Sequence, residues 1–328
     1  MTLGVLFALL AGLVWGLVFV TPLLLPDYPA SLLAVGRYLA FGLIALPLAW
    51  LDRARLRELS RADWIEALKL SLIGNLLYYT FLAAAIQRAG APLPTMIIGT
   101  LPVVIAVCAN LFLGQGERVR WRRLVPSLVL IAAGIACVNH VELDVLRCEN
   151  NGADGDDTGR YVTGALLAVG AVICWTIYPL LNARWLREHR DRHPRSWATA
   201  QGIATLPLAL GGYALLWAWL AATGSDFAMP LGPTPERYVA LMAAVGLLAS
   251  WFGTLCWNEA SQRLPAAISG QLIVFETLAA LAYALALRGG MPPALTLVGA
   301  ALLVAGVAIA LLRSPQDDAA AVVADHTA

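Results

Sequence analysis

Gly4-Val-Leu-Phe-Ala-Leu-Leu-Ala-Gly-Leu-Val-Trp15 and Gly164-Ala-Leu-Leu-Ala-Val-Gly-Ala-Val-Ile-Cys-Trp175 open in the same way, sharing the glycine, a leucine, two alanines and the tryptophan. A second echo follows in each half, where Ala85-Ile86-Gln87-Arg88 returns as Ala260-Ser261-Gln262-Arg263. Every copy lies in or beside an apolar run, and five such runs separate the first copy from the second. An odd number of crossings places the two copies in opposite orientations across a bilayer, which is the inverted repeat found in secondary transporters.

The runs cover approximately 3–25, 30–50, 64–86, 91–113, 122–139, 161–183, 197–222, 237–260, 265–287 and 293–312. Each is long enough to cross about 30 Å of hydrocarbon as a helix. The chain is 60% hydrophobic and 13% charged, with a mean hydropathy of +0.73. Soluble domains carry roughly 25% charged residues, so too few charges are present to solvate a globular surface. These features predict an all-α membrane protein with ten transmembrane helices.

A net charge of +1 conceals a strong asymmetry. The even connections carry Arg53, Arg55, Arg57 and Arg61, then Arg118, Arg120, Arg122 and Arg123, then Arg184, Arg187, Arg190, Arg192 and Arg195. The fifth connection instead gathers Glu142, Asp144, Glu149, Asp154, Asp156 and Asp157. Because positive loops stay on the cytoplasmic side, the N- and C-termini are expected inside. Strict alternation with apolar runs argues against reading the arginines as a nucleic-acid surface, so no nucleic-acid partner is expected.

The expected organisation is a first five-helix repeat over 1–140, an acidic periplasmic linker over 141–160, a second repeat over 161–313 and a disordered cytoplasmic tail over 314–328. The first apolar run continues to Leu25 and lacks a basic leader, which is unlike a cleavable signal. Cys108, Cys137, Cys174 and Cys256 fall within spans, leaving Cys148 alone in an outer connection, so no disulfide framework is expected.

Local segments resemble the drug/metabolite transporter superfamily of EamA type. Trp15-Gly16-Leu17-Val18-Phe19 resembles its first-helix signature, and Gly36-Arg37-Tyr38 the arginine of its second helix. Leu111-Phe112-Leu113-Gly114 with Glu117-Arg118, then Gly134, resembles the end of its first repeat, and Gly299 to Val307 the final helix. Pro94-Thr95 through Pro102, Trp257-Asn258 with Ala260 to Pro265, and Leu272 through Leu278 resemble the YtfF-type branch of bacterial inner-membrane permeases. Phe275-Glu276-Thr277 departs from the pattern, standing where the superfamily usually has a proline; the aligned fourth helix keeps Pro102.

The resemblance implies a multi-pass protein of the bacterial inner membrane that is not an enzyme. It would export small metabolites such as amino acids by alternating access through a central cavity; a flippase for a lipid-linked sugar or similar amphiphile is the second reading. Its partners would be a small-molecule substrate and the lipid bilayer, with a proton or counter-substrate as an open third. No phosphate loop, dinucleotide fingerprint or calcium-loop spacing occurs, and no cofactor is expected. His189 and His193 have metal-ligand spacing but stand among arginines, so no metal is assigned to them.

Glu276 stands out, because about eleven residues of helix put it roughly 16 Å into its span. An intramembrane carboxylate is costly unless paired, solvated or protonated. Arg37 lies roughly 10 Å into the second span from the other face, so the two side chains are expected to approach. Three roles are open for them: a structural lock, a substrate contact or a proton-coupling group. Trp15, Tyr78, Tyr79, Trp175, Tyr178 and Trp251 lie well inside their spans, and Asn75 shares a helical face with Tyr78 and Tyr79. With Arg37 and Glu276 these form the candidate substrate site. Trp50, Trp64, Trp121 and Trp197 sit near span ends and are assigned to the interfacial belt.

Overall fold

The computed structural model describes residues 2–89, 92–112, 120–150, 156–288 and 293–312. Outside them lie the tail 314–328, the segment 113–119 that carries Arg118, and 151–155 of the acidic stretch; the side chains of 141–150, Cys148 among them, are also left undescribed. All described elements are helical. In chain order they are α1 (Thr2–Leu24), α2 (Ala30–Leu51), α3 (Arg53–Leu56), α4 (Arg61–Ser71), α5 (Tyr78–Ala89), α6 (Pro92–Ile98), α7 (Leu101–Phe112) and α8 (Trp121–Asn150). They continue with α9 (Asp156–Glu188), α10 (Pro194–Ala222), α11 (Pro235–Val245), α12 (Gly253–Arg263), α13 (Ala266–Leu272), α14 (Val274–Arg288) and α15 (Ala294–Leu312). A wide π turn, Leu72–Leu77, joins α4 to α5, and a second, Gly246–Phe252, joins α11 to α12.

Among the described residues, seven helical stretches are long and apolar enough to span: 2–21, 30–51, 61–86, 159–188, 194–222, 235–263 and 294–312. Three shorter apolar helices, Leu101–Phe112, Leu124–Cys137 and Ala266–Ala280, accompany them. The chain is therefore a multi-span membrane protein. Its outer surface bears Leu6, Leu13, Leu166, Ile173, Leu215 and Val304, all exposed, as lipid in place of water requires.

Two spans expected to be continuous are broken. Between α6 and α7 the chain turns at Gly99-Thr100, where Thr100 Oγ1 donates to Ile97 O at 2.6 Å. Between α13 and α14 a break falls at Ile273. Helix also takes up both flanks of the stretch read as a linker, since α8 continues to Asn150 and α9 begins at Asp156.

The two halves of the chain interleave. Helix α2 packs on α10, α8 on α15 and α7 on α13. Helix α1 lies against α12 and α14, while α9 lies against α5, α6 and α7. Small residues allow these approaches, because lipid offers no hydrophobic drive between helices and close packing must hold them. A Cβ on Gly12 would sit 3.0 Å from Glu276 N, and one on Gly16 would sit 2.8 Å from Ala279 Cβ. These two glycines, one turn apart, seat α1 directly on the break before α14.

The arginine-rich end is tied together by ion pairs. Ser60 and Asp63 close a capping box at the start of α4. Arg195 donates to both Asp52 carboxylate oxygens, at 2.6 and 2.8 Å, and Arg192 reaches Glu58 at 2.6 Å. Trp185 Nε1 donates to Asp63 at 3.0 Å, and the Trp185 ring stacks on Trp197 at 3.5 Å. Trp197 is 1% exposed, which corrects its assignment to the interfacial belt. It is near a span end in sequence, yet it turns inward because Asn182 accepts its indole N–H at 2.9 Å. His189 is engaged by the Trp185 carbonyl and lies 3.6 Å from Asp63.

At the opposite end, Tyr28 stacks on Tyr238 at 5.1 Å and donates to Leu231 O at 2.8 Å. In the arginine-rich cluster, Asp52 is buried whereas Arg195 is 43% exposed on its side chain, so solvent screens part of their attraction. Asp52→Asn is expected to cost about 1–2 kcal/mol. Thermal unfolding in detergent at low and high salt checks this, with the difference from wild type shrinking as salt rises.

Candidate functional site

The site begins with where the helices put their large aromatic residues. Trp15 of α1 is buried and meets Trp175 of α9 edge-on at 5.6 Å. Trp175 is sandwiched between Tyr78 at 4.6 Å and Tyr178 at 5.3 Å, both stacked. Tyr178 is accommodated by Gly74, whose Cβ would stand 2.3 Å from the Tyr178 ring. Tyr79 turns from Tyr78 toward Tyr38 of α2, at 6.1 Å. Trp257 of α12 completes the cluster, 5.4 Å from Trp15. Such pairs add about 0.5–1.5 kcal/mol each beyond burial, so the rings form one rigid wall drawn from both halves of the chain.

Arg37 enters this wall from α2. It is 8% exposed, its guanidinium lying 5.1 Å from the Tyr38 ring centre and 5.9 Å from that of Tyr79. Its Nε donates to Ser250 Oγ at 2.9 Å and its Nη2 to Ala249 O at 3.4 Å. Both acceptors belong to the second π turn, where the wider spacing releases carbonyls from the ordinary helical ladder. The first π turn holds Asn75, whose Nδ2 donates to Thr205 Oγ1 of α10 at 3.0 Å. Each π turn thus anchors a polar group across to the other half. Asn75 is directed to α10, whereas ordinary helical spacing sets it on one face with Tyr78 and Tyr79.

Glu276 occupies the first turn of α14, immediately after the break, and its backbone N–H bonds to Ile273 O at 2.9 Å. Its carboxylate lies within electrostatic range of Arg37, Tyr38 and Tyr78. Among the described residues, no ion pair within 4.0 Å joins it to Arg37. The expected approach is therefore one of neighbourhood, not of contact. Trp251 stands further along the second π turn, donating its Nε1–H to Thr199 Oγ1 at 3.1 Å.

Beneath the rings, toward the arginine-rich end, runs a polar chain. Tyr178 OH donates to Gln201 Oε1 at 3.0 Å, and Gln201 Nε2 to Asn182 Oδ1 at 3.0 Å. Asn182 Nδ2 donates in turn to Asn258 Oδ1 at 2.8 Å. Asn182 and Asn258 are fully buried. Sequence reasoning left Tyr38, Trp257, Ser250, Asn182 and Gln201 out of the site. The detectable signal was an amide, Asn182 or Asn258, in the middle of an apolar run; the pairing of the two was not legible.

The EamA-like transporter family matches residues 2–140. The chain is 56% identical over 314 residues to "Inner membrane protein YtfF" of Escherichia coli strain K12, across 95% of this chain and 96% of that protein. It is 28% identical over 217 residues to the "Probable terminal-alkyne amino-acid exporter" of Streptantibioticus cattleyicolor, across 65% of this chain and 61% of that protein. A solved crystal structure superposes with a TM-score of 0.67 at 19% identity, over 94% of this chain and 97% of the other, a likeness of fold. With 56% identity across 95% of its length to an inner-membrane relative, the chain belongs to the EamA-like transporter family and is a multi-pass inner-membrane transporter.

Proposed function

We propose that this transporter exports small amino acids or related zwitterionic metabolites by alternating access, from a site formed by Trp15, Arg37, Asn75, Tyr78, Tyr79, Trp175, Tyr178, Trp251 and Glu276. The observation that carries the reading is a pair of ionisable side chains, Arg37 and Glu276, beside one aromatic wall that, among the described residues, make no direct contact with each other. A zwitterion supplies a carboxylate for Arg37 and an ammonium for Glu276, while its side chain lies on the rings. The name of the Streptantibioticus relative favours the same cargo.

The scaffold proposed for this is ten spans in two inverted five-helix repeats, 1–140 and 161–313, with both termini cytoplasmic. Three features support it: the π turns fall at matching places in the third and eighth spans, the breaks fall in the fourth and ninth, and the pairings of α2 with α10, α8 with α15, and α1 on α12 against α9 on α5 survive exchange of the two halves. One departure from that exchange bears on mechanism. Helix α9 packs on α12 and α13 toward the arginine-rich end, whereas α1 forms no comparable seam with α5 and α6 among the described residues. A transporter closed at one end and looser at the other is caught on one side of its cycle.

The test is counterflow. Vesicles containing the protein are loaded with unlabelled amino acids and given trace labelled ones, with and without a pH gradient. Transient accumulation of label is expected, and a response to the gradient would give Glu276 a coupling role. Folded protein without exchange of any amino acid overturns the reading and favours lipid-linked cargo.

A further inference from the structure

A second set of polar groups lies in the seam between α9, α12 and α13. Among the described residues, Trp257 Nε1 and Ser261 Oγ have no hydrogen-bond partner, although Trp257 is 2% and Ser261 1% exposed. Both line one narrow pocket, closed by Ile105, Leu180, Ala266 and Ser269. The Ser269 hydroxyl donates back to Pro265 O. An indole N–H is a donor only, and a serine hydroxyl donates as readily. Both residues with unpaired donors line this pocket, and no cationic side chain does.

Unpaired buried donors are destabilising, so their persistence asks for a function. Fold symmetry does not require them: the echo that matches Ala260-Ser261-Gln262-Arg263 to Ala85-Ile86-Gln87-Arg88 pairs Ser261 with Ile86 and Trp257 with Leu82. The corresponding positions in the first half are thus apolar. Trp257 also belongs to two places at once, packing its ring against Trp15 in the aromatic wall and lining the pocket in the seam.

We propose that this seam is the inner way to the aromatic site, and that Trp257 Nε1 and Ser261 Oγ form a transit subsite for an acceptor group, the carboxylate of the cargo. The inference rests on the amino-acid reading above. When α9 parts from α12 and α13, a carboxylate entering at the arginine-rich end meets two neutral donors first. Being neutral, they hold it weakly enough to release it onward to Arg37.

The experiment measures KM separately at each face of oriented proteoliposomes for Trp257→Phe, Ser261→Ala and the double variant, with labelled leucine, threonine and phenylalanine. KM at the arginine-rich face is expected to rise about 2- to 12-fold in Ser261→Ala, as for loss of one hydrogen bond, with the opposite face unchanged; in the variants that carry Trp257→Phe, whose ring also belongs to the aromatic wall, the readout is a rise at the arginine-rich face beyond that at the other. Competition by isoamylamine, which lacks the carboxylate, should be the same in wild type and variants. Thermal stability of Ser261→Ala should be unchanged or higher, because an unpaired group has been removed. An equal KM rise at both faces in Ser261→Ala, or a lower Tm of that variant, overturns the subsite. If wild type exchanges amino acids and the variants match it, only this inference falls; if wild type exchanges none, the amino-acid reading falls with it.

Discussion

Glu276→Gln is expected to slow amino-acid exchange by about 10- to 150-fold, the loss of one charge-assisted hydrogen bond worth about 1.5–3 kcal/mol. Glutamine keeps the volume and the place of the side chain in the first turn of α14. What it removes is the negative charge beside the aromatic wall. Arg37 is already held by Ser250 and Ala249, so it does not need Glu276 to remain folded in position. Expression and thermal stability should therefore stay near wild type while transport falls. A structural lock predicts the reverse: stranding one member of a buried pair costs several kcal/mol of stability. Failure of the Glu276→Gln variant to express or fold would establish that lock, and wild-type exchange rates in a folded variant would remove Glu276 from the site.

Asn182→Leu should produce the largest loss of stability of any single change considered. Asn182 Oδ1 accepts from Trp197 Nε1 and Gln201 Nε2, and its Nδ2 donates to Asn258 Oδ1. Leucine fits the volume but leaves three buried polar groups without these partners. Inter-helix hydrogen bonds in membranes average less than in water-soluble cores, so the expected cost is about 2–4 kcal/mol, not the sum of three full penalties. Thermal unfolding in detergent is the measurement. The same variant should loosen α9 from α12, since Asn182 and Asn258 join these two helices directly. A cysteine-reactivity assay at Cys256, which is fully buried in α12, would report that loosening as faster labelling. An unchanged melting point would mean that other contacts hold the seam.

How much of this was readable from residues alone follows from the range of each interaction. Span positions come from local hydropathy, and α1, α2, α10 and α15 run close to the stretches expected of them. The breaks within the runs expected over 91–113 and 265–287 and the two π turns were not legible. Glycine, proline and threonine near Gly99 and Pro102 are compatible with either a kinked or a broken helix. The depth of the aromatic residues in their spans picked out Trp15, Tyr78, Trp175 and Tyr178, and these rings do meet. Asn75 reaches α10 because ordinary helical spacing does not survive a π turn. Trp197 was misjudged because position along the chain says nothing of which way a side chain turns.

By itself, the sequence determined that this chain lives in a membrane, how its charge divides between alternate connections and which residues lie deep within their spans. All of these depend on composition over a helix length, and the bilayer imposes them on any chain of that pattern. Only the tertiary structure decided that Arg37 bonds to Ser250 and not to Glu276, and that Trp257 Nε1 is left unpaired among the described residues. Those outcomes depend on which helices pack together. In lipid that choice is made by close glycine contacts and scarce hydrogen-bond partners from distant parts of the chain.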